Sequence, residues 1–207
     1  MRNIFFLSLV LLVDPARCAE NLVVSARNTN AVAFYFGAHP DDWQLFMNPN
    51  AYYDVQQPSN KVVFVYVTAG DAGLGLGNGE RSQPYYLARE NGAKLSVKFM
   101  ADAAKAPEIP VDSVASVSGH AIKRWLYRNT VSNFMRLPDG SPQGTGYVAT
   151  AEQSLKRLHE GAIRTMTSID NSTTYQCWEH FPIASFQQVL PARCCDPGVP
   201  QRTRPDR

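Results

Sequence analysis

Two short, almost wholly apolar runs stand out in the first half of the chain, over residues 30–37 and 61–68. Both are rich in Val and aromatic residues, and both lack the polar alternation of a half-exposed strand. Such runs are typical of interior strands in a parallel sheet, which is covered on both faces. A short helix is predicted over 41–47 and a longer one over 84–100, which begins at a proline. These strand–helix units predict an α/β domain with a Rossmann-like, mostly parallel sheet.

The second half of the chain is less regular. Residues 111–117 and 121–137 are rich in β-branched and aromatic residues on either side of a Ser-Gly turn, which predicts two further strands. Residues 137–146 carry closely spaced Pro, Asp, Gly and Ser, the composition of a turn-rich loop. Residues 151–166 place apolar side chains at helical spacing, so an amphipathic helix is predicted there.

Composition narrows the class of protein. A chain of 207 residues that is 44% hydrophobic and 18% charged can bury one domain with a real core. The formal net charge of +2 gives little support to a nucleic-acid-binding surface, so no nucleic-acid partner is expected. Four cysteines are too few for a disulfide scaffold of this length.

The two ends of the chain differ from the middle. Residues 1–18 carry Arg2, then a ten-residue apolar run over 4–13, and then a sequence at 16–18 that approximates the small-x-small pattern of a signal-peptide cleavage site. That run is half of the ~20 residues that a membrane-spanning helix needs, so it predicts a secretory signal peptide, with a buried first helix as the alternative. The protein is therefore expected in the secreted, periplasmic or secretory-pathway space, without a transmembrane segment after cleavage. A domain over 19–175 and a divergent, disordered tail over 176–207 complete the predicted organisation.

Candidate chemistry is concentrated just after the first apolar run, in the sequence Ala-His-Pro-Asp-Asp of residues 38–42. His39 and Asp42 are three residues apart, so entry into a helical turn brings both side chains to one face. An imidazole and a carboxylate suit Zn²⁺, and Asp41 could serve as a base beside the metal. The structural alternative is a turn in which an aspartate caps the helix and the histidine is a surface residue.

These residues resemble the AHPDD motif of the PIG-L/LmbE-like family of zinc-dependent sugar N-deacetylases. Three further blocks are similar to that family and follow in the same order: VFVYVTAGDAG at 63–73, YYLARENGA at 85–93 and NTVSNFMRLPDG at 129–140. The resemblance covers about residues 30–170. It implies a Rossmann-like three-layer sandwich with a mostly parallel sheet, incomplete at its C-terminus.

The resemblance also implies roles for individual residues. His39 and Asp42 would bind Zn²⁺, Asp41 would be the general base, and Arg89 would contact a substrate phosphate or hydroxyl. The implied reaction is hydrolysis of the acetamide of an N-acetylglucosamine conjugate, a small molecule or a glycolipid such as N-acetylglucosaminyl-phosphatidylinositol. For Arg89, a solvated charge on a helix is the structural alternative. Trp43, Tyr85 and Tyr86 could stack on a sugar, although core packing is expected for at least two of these aromatic residues.

One part of the family pattern is missing from the sequence. The family takes its third zinc ligand from a C-terminal HxDH motif, which this chain lacks. The remaining histidines are His120, His159 and His180, and none has the sequence context of a ligand. A truncated or frame-shifted gene is the expected explanation, with weak zinc binding and poor or no turnover as the expected consequences. The alternative function is an exported, non-catalytic carbohydrate-binding remnant of the same fold.

Overall fold

The computed structural model describes residues 31–103 and 106–176. The predicted signal peptide over 1–18 lies outside these residues, as does the predicted tail over 176–207 except for Gln176. The longer strands are β1 (Val32–Gly37), β2 (Lys61–Thr68), β3 (Val111–Val117), β4 (His120–Tyr127) and β5 (Thr130–Leu137), and two short ones follow, β6 (Met166–Thr167) and β7 (Thr174–Tyr175). The α-helices are α1 (Asp42–Phe46), α2 (Asn50–Gln56), α3 (Tyr85–Ala101) and α4 (Leu155–His159), with a short 3-10 helix at Val148–Thr150.

The five longer strands form one mixed sheet in the order β1-β2-β5-β4-β3. Strands β1, β2 and β5 are parallel, whereas β4 and β3 are antiparallel to their neighbours. The predicted α/β class is therefore confirmed, but the sheet is parallel in only one half. The antiparallel half arises because β3, β4 and β5 are joined by turns too short to cross over the sheet.

One of the predicted strands is in fact two. The run over 121–137 was expected to be continuous, but a two-residue turn at Arg128 and Asn129 divides it into β4 and β5. Arg128 adopts a positive φ of 51°, and the amide of Asn129 donates to the carbonyls of Val55, Gln57 and Asn60. The turn is polar within an apolar stretch, and it places β5 beside β2.

Helices α1, α2 and α3 lie against one face of the sheet. The core between them contains Trp43, Val55, Phe64, Val97 and Phe134, all of which are buried. The helix predicted over 84–100 is confirmed as α3, which buries a set of residues at helical spacing: Tyr86, Ala93, Val97 and Met100. The short helix α2 had no counterpart among the predicted elements.

The opposite face of the sheet is covered by the segment that follows β5. The helix predicted over 151–166 is wrong in extent, because α4 has only five residues. Ala151 and Glu152 adopt positive φ, Ser154 caps the helix, and Gly161 at φ 73° follows its end. The residues with helical apolar spacing therefore lie in a short helix, an irregular loop and β6. Leu158 and Met166 are nevertheless buried in the same hydrophobic cluster.

No helix within residues 31–103 and 106–176 is long and apolar enough to cross a membrane.

Candidate functional site at the carboxyl edge of the sheet

The three parallel strands end side by side, and polar residues follow each of them. Backbone hydrogen bonds hold the strand ends together, from Thr68 N to the Ala38 carbonyl and from Ala69 N to the Leu137 carbonyl, both at 2.8 Å. The loops that follow β1, β2 and β5 carry the side chains of the candidate site. This is the edge at which open α/β sheets bind their ligands.

His39 and Asp42 lie together where β1 turns into α1. Nδ1 of His39 is 3.8 Å from Oδ1 of Asp42, and the backbone N–H of His39 donates to Oδ2 of Asp42 at 3.0 Å. The turn requires glycine at Gly37, because a Cβ there would lie 2.9 Å from the His39 carbonyl and 3.2 Å from Asp42 Cβ. One carboxylate oxygen of Asp42 is thus anchored, and the other faces the imidazole.

The second nitrogen of the same imidazole faces a buried carboxylate from the end of β5. Nε2 of His39 is 3.5 Å from Oδ1 of Asp139, which is 5% exposed. The other oxygen of Asp139 accepts a hydrogen bond from Ala72 N at 2.9 Å. Oδ1 of Asp139 has no hydrogen-bond partner within the described parts of the chain. His39 is therefore flanked by a carboxylate on each ring nitrogen.

Asp71, after β2, holds the loop on which Asp139 stands. Its two carboxylate oxygens accept from the backbone N–H groups of Asp139 at 2.9 Å and Gly75 at 2.8 Å. Burial raises the pKa of Asp71 despite these hydrogen bonds, since the side chain is fully enclosed. Asp71 and Asp139 thus fasten the loops after β2 and β5 to each other, beside His39.

Asp41 points away from His39 and Asp42 and pairs with Arg89 on α3. Oδ1 of Asp41 accepts from Nη2 of Arg89, while Nη1 of Arg89 donates to the Gly70 carbonyl at 3.2 Å. Gly70 adopts φ 62°, and a Cβ there would lie 2.6 Å from Arg89 Nη1 and 2.9 Å from Pro40 Cδ. Glycine is therefore needed for Arg89 to reach the loop after β2. A shallow cavity of about 220 Å³ opens beside this ion pair.

The structure bears on the structural alternatives for three residues: a helix cap for Asp41, a solvated charge for Arg89 and a surface position for His39. Asp41 is the residue at the N-cap of α1, but its side chain makes no capping hydrogen bond and is committed to Arg89. Arg89 is held in an ion pair and is only 20% exposed, so it is not a freely solvated charge on a helix. His39 is 42% exposed and open to solvent beside its two carboxylates.

A buried ion pair between Arg136 and Glu90 stabilises this edge of the sheet. Strand β5 shifts register against β2 between Tyr66 and Thr68, and Arg136 in the irregularity adopts φ 56°. This backbone directs the Arg136 guanidinium to Glu90 on α3 and to Asp170. Although burial opposes the charged form, Glu90 and Asp170 raise the pKa of Arg136 above its usual value. The strand that leads to Asp139 is thereby fixed to α3.

The expected aromatic residues are divided between core and surface. Trp43 and Tyr86 are 2% and 5% exposed, so the expectation that at least two of the three belong to the core is confirmed. Tyr85 is less buried and lies against the Arg81 guanidinium, which is 4.5 Å from the ring centroid.

The structure brings the predicted residues together in two pairs, His39 with Asp42 and Asp41 with Arg89. The sequence interpretation overlooked Asp71 and Asp139. A signal for both was present, because each follows the carboxyl end of an apolar strand, as His39 does. Asp71 lies in the glycine-rich segment over 70–79, which is typical of a flexible active-site loop, and Asp139 lies in the turn-rich loop over 137–146, but neither pattern predicts a role for its aspartate.

The side chains of the candidate site are of the types that bind a divalent metal, but within the described residues too few of them lie together to form a complete metal site. Two carboxylates flank the His39 imidazole, and two further carboxylates and one guanidinium lie in the adjoining loops and helix, an acidic environment that favours a cation. His39 and Asp42 supply nitrogen and oxygen donors of the kind that Zn²⁺ takes. Within residues 31–103 and 106–176, however, no group of three His, Cys, Asp or Glu side chains could hold a metal ion.

The other histidines lie elsewhere in the fold. His120 begins β4, where its ring stacks on Tyr175 with centroids 4.3 Å apart and Nδ1 is 3.2 Å from the Thr173 hydroxyl. His159 is the last residue of α4. His180 lies outside the described residues.

No protein-family model, no curated protein and no solved structure matches the chain.

Proposed function

We propose that the chain is a zinc-dependent hydrolase that removes the acetyl group from an N-acetylglucosamine conjugate, as a member of the PIG-L/LmbE-like family with a Rossmann-like three-layer sandwich. The observation that carries this proposal is the pairing of His39 with Asp42 at the carboxyl edge of the parallel strands. The pair stands beside a second, separate pair of Asp41 with Arg89. This arrangement offers metal-binding and proton-accepting groups side by side.

His39 and Asp42 are the residues that would hold zinc. Zinc bound there would polarise the acetamide carbonyl and make water nucleophilic at neutral pH. The hydrogen bond from the His39 backbone to Oδ2 of Asp42 fixes the carboxylate, and Oδ1 of Asp42 lies 3.8 Å from Nδ1 of His39. Both donors are thus positioned before the metal arrives, which lowers the entropic cost of binding.

Asp41 is the proton acceptor in this proposal. Its Oδ1 is bound to Arg89, and its half-exposed side chain lines the shallow cavity beside this ion pair. Asp41 would take a proton from water as the water oxygen attacks the acetamide carbonyl carbon, and would pass it to the leaving nitrogen as the C–N bond breaks, giving acetate and a free amine. Arg89 holds Asp41 in place, and the remaining exposed edge of its guanidinium is a candidate contact for a substrate hydroxyl or phosphate.

The substrate class and the location of the protein follow from the family proposal and not from the fold. The substrate would be an N-acetylglucosamine-containing small molecule or a glycolipid. The N-terminal apolar run supports export, so the substrate would be met in the secreted, periplasmic or secretory-pathway space.

A second candidate function is an exported carbohydrate-binding protein without catalysis. The specific observation in its favour is that, within the described part of the chain, no group of three His, Cys, Asp or Glu side chains could hold a metal ion. A catalytic zinc site normally has three protein ligands and one open position. Zinc content and acetate release distinguish the two functions.

The experiment is acetate release from N-acetylglucosaminyl-phosphatidylinositol and from simpler N-acetylglucosamine conjugates by the full chain with added zinc. His39→Ala and Asp42→Ala should abolish both bound zinc and acetate release. Asp112→Ala is the matched control, because it removes an exposed aspartate on β3 at the far edge of the sheet. If the first two variants retained wild-type activity and zinc content, the proposed function would be wrong. Sugar binding without acetate release would support the second candidate.

A further inference from the structure

We propose that Asp139 is a positioning residue for His39: it accepts the Nε2 proton of the imidazole and thereby leaves the Nδ1 lone pair facing Asp42. The inference rests on the proposed function, because it assigns the orientation of a side chain that would bind zinc. It concerns a residue for which the sequence analysis predicted no role.

On the Nε2 side of the ring, a possible donor lies beside a buried acceptor that has no other partner in the described regions. Oδ1 of Asp139 is 3.5 Å from Nε2 of His39 and has no hydrogen-bond partner in the described regions. Buried carboxylate oxygens are costly unless they accept a hydrogen bond. The ring nitrogen of His39 is the donor that the structure places beside this oxygen.

Asp139 cannot turn away from the imidazole without losing other contacts. Its Oδ2 is bound to Ala72 N, and its own backbone N–H donates to Asp71. These two bonds fix the carboxylate at both its backbone and its side chain. The orphan oxygen therefore stays directed at His39.

A neutral imidazole carries one proton, so a proton held on Nε2 leaves Nδ1 unprotonated. Nδ1 is the nitrogen that faces Oδ1 of Asp42 at 3.8 Å. A carboxylate that accepts the second N–H of a metal-binding histidine fixes its tautomer and ring orientation and increases its basicity. Asp139 would do this for His39.

The alternative is that Asp139 is itself a zinc ligand, with the metal on the Nε2 side of the ring. The structure favours the positioning role, because Oδ2 of Asp139 is already committed to Ala72 and the side chain is almost fully enclosed, whereas Asp42 lies at the more open turn. The two roles place the histidine proton on opposite nitrogens once zinc is bound. That difference can be measured.

The experiment is long-range ¹H–¹⁵N NMR of the histidine side chains in the full chain at pH 8, above the usual titration range of histidine. His39→Gln assigns the signal. Wild type should carry its His39 proton on Nε2, and addition of Zn²⁺ alone should shift Nδ1 while Nε2 keeps its proton. In Asp139→Asn only one acceptor oxygen remains, and Ala72 N–H competes for it. The proton should therefore move towards Nδ1, and the dissociation constant for zinc should rise by about 10–100-fold.

Asp54→Asn is the control. It makes the same substitution on a half-buried carboxylate of α2, which accepts a hydrogen bond from the Tyr35 hydroxyl at 2.5 Å and contacts neither His39 nor Asp139 through an ion pair in the described regions. The control should keep the wild-type tautomer.

A wild-type proton on Nδ1, loss of the Nε2 proton when zinc binds, or an unchanged tautomer in Asp139→Asn would overturn the inference. If wild type bound no zinc at all, the proposed function would be wrong, and the tautomer in the metal-free protein would decide this inference alone.

Discussion

Arg136 and Glu90 form a two-pronged ion pair, with Nε to Oε1 at 2.6 Å and Nη2 to Oε2 at 2.8 Å. Glu90 is 2% exposed on α3, and Arg136 lies at the register shift near the end of β5. Arg136 also donates to Asp170, so its guanidinium links three parts of the fold: helix α3, strand β5, which leads to Asp139, and the loop before β7. The candidate site is thus supported by an interaction that lies outside it.

Removal of one partner from this pair should be costly. Glu90→Gln leaves Asp170 as the remaining countercharge of the buried Arg136 guanidinium, and we expect a loss of up to about 3–5 kcal/mol of unfolding free energy. Urea denaturation of the full chain measures the loss. Asp112→Asn is the control, since it breaks the more exposed pair with Lys94 and should cost less than about 1 kcal/mol. Equal losses for the two variants would show that the Glu90 pair has no special structural role.

Asp41 should affect proton transfer without affecting the metal. Its carboxylate is bound to Arg89 and not to His39 or Asp42, so Asp41→Asn should leave zinc content unchanged. Turnover should fall by about 10² to 10⁴, the usual contribution of a general base. Zinc content by elemental analysis and acetate release by enzymatic assay are the measurements. Loss of zinc in this variant would instead make Asp41 a ligand.

His120 should not contribute to zinc binding. Its ring stacks on Tyr175 and its Nδ1 lies beside Thr173, and the described residues form no three-ligand group that includes it. We expect His120→Ala to change the zinc dissociation constant by less than about threefold, within the effect of a small structural adjustment. Isothermal titration with Zn²⁺ tests this directly. His180→Ala is measured alongside for comparison. A large increase in the zinc dissociation constant in His120→Ala but not in His180→Ala would contradict the assignment.

The stability of the fold should depend on Asp102 at acidic pH. Hydrogen bonds from Lys98 and Tyr127 hold the pKa of Asp102 at about 2, below its usual value. Because the folded-state pKa is depressed, the contribution is present above the usual aspartate pKa of about 4 and is lost as the pH falls through about 2. The unfolding free energy of wild type should therefore decline between about pH 4 and pH 2, and Asp102→Asn should flatten this decline.

Lys98→Met provides the check on the cause. Without the ammonium, the pKa of Asp102 should return towards its usual value, and the acid-dependent loss of stability should shrink in the same pH range. Urea unfolding at a series of pH values measures all three proteins. An identical slope in wild type and Asp102→Asn would rule out Asp102 as the source.

The elements that the sequence predicted well are those with a strong local pattern. Strand β2 has the predicted boundaries, and α3 begins and ends one residue later than expected. An uninterrupted apolar run and a proline at a helix start are local signals that tertiary contacts rarely override. The pairing of His39 with Asp42 was also predictable, since it depends on a spacing of three residues.

The features that the sequence did not reveal depend on contacts between distant segments. The order of strands is one, because β5 lies beside β2 although β3 and β4 precede it in the chain. The length of α4 is another, because the apolar spacing continues through residues whose backbone is not helical. Asp71 and Asp139 are 68 residues apart, and only the side-by-side ends of β2 and β5 bring them together beside His39.

The central claim is that zinc held by His39 and Asp42 supports hydrolysis of an N-acetylglucosamine amide. The most direct test is acetate release by the purified full chain, measured before chelation, after chelation and after stoichiometric zinc is restored. The account predicts that release stops when zinc is removed and returns when zinc is restored, whatever its absolute rate. Acetate release that is unaffected by chelation would contradict it.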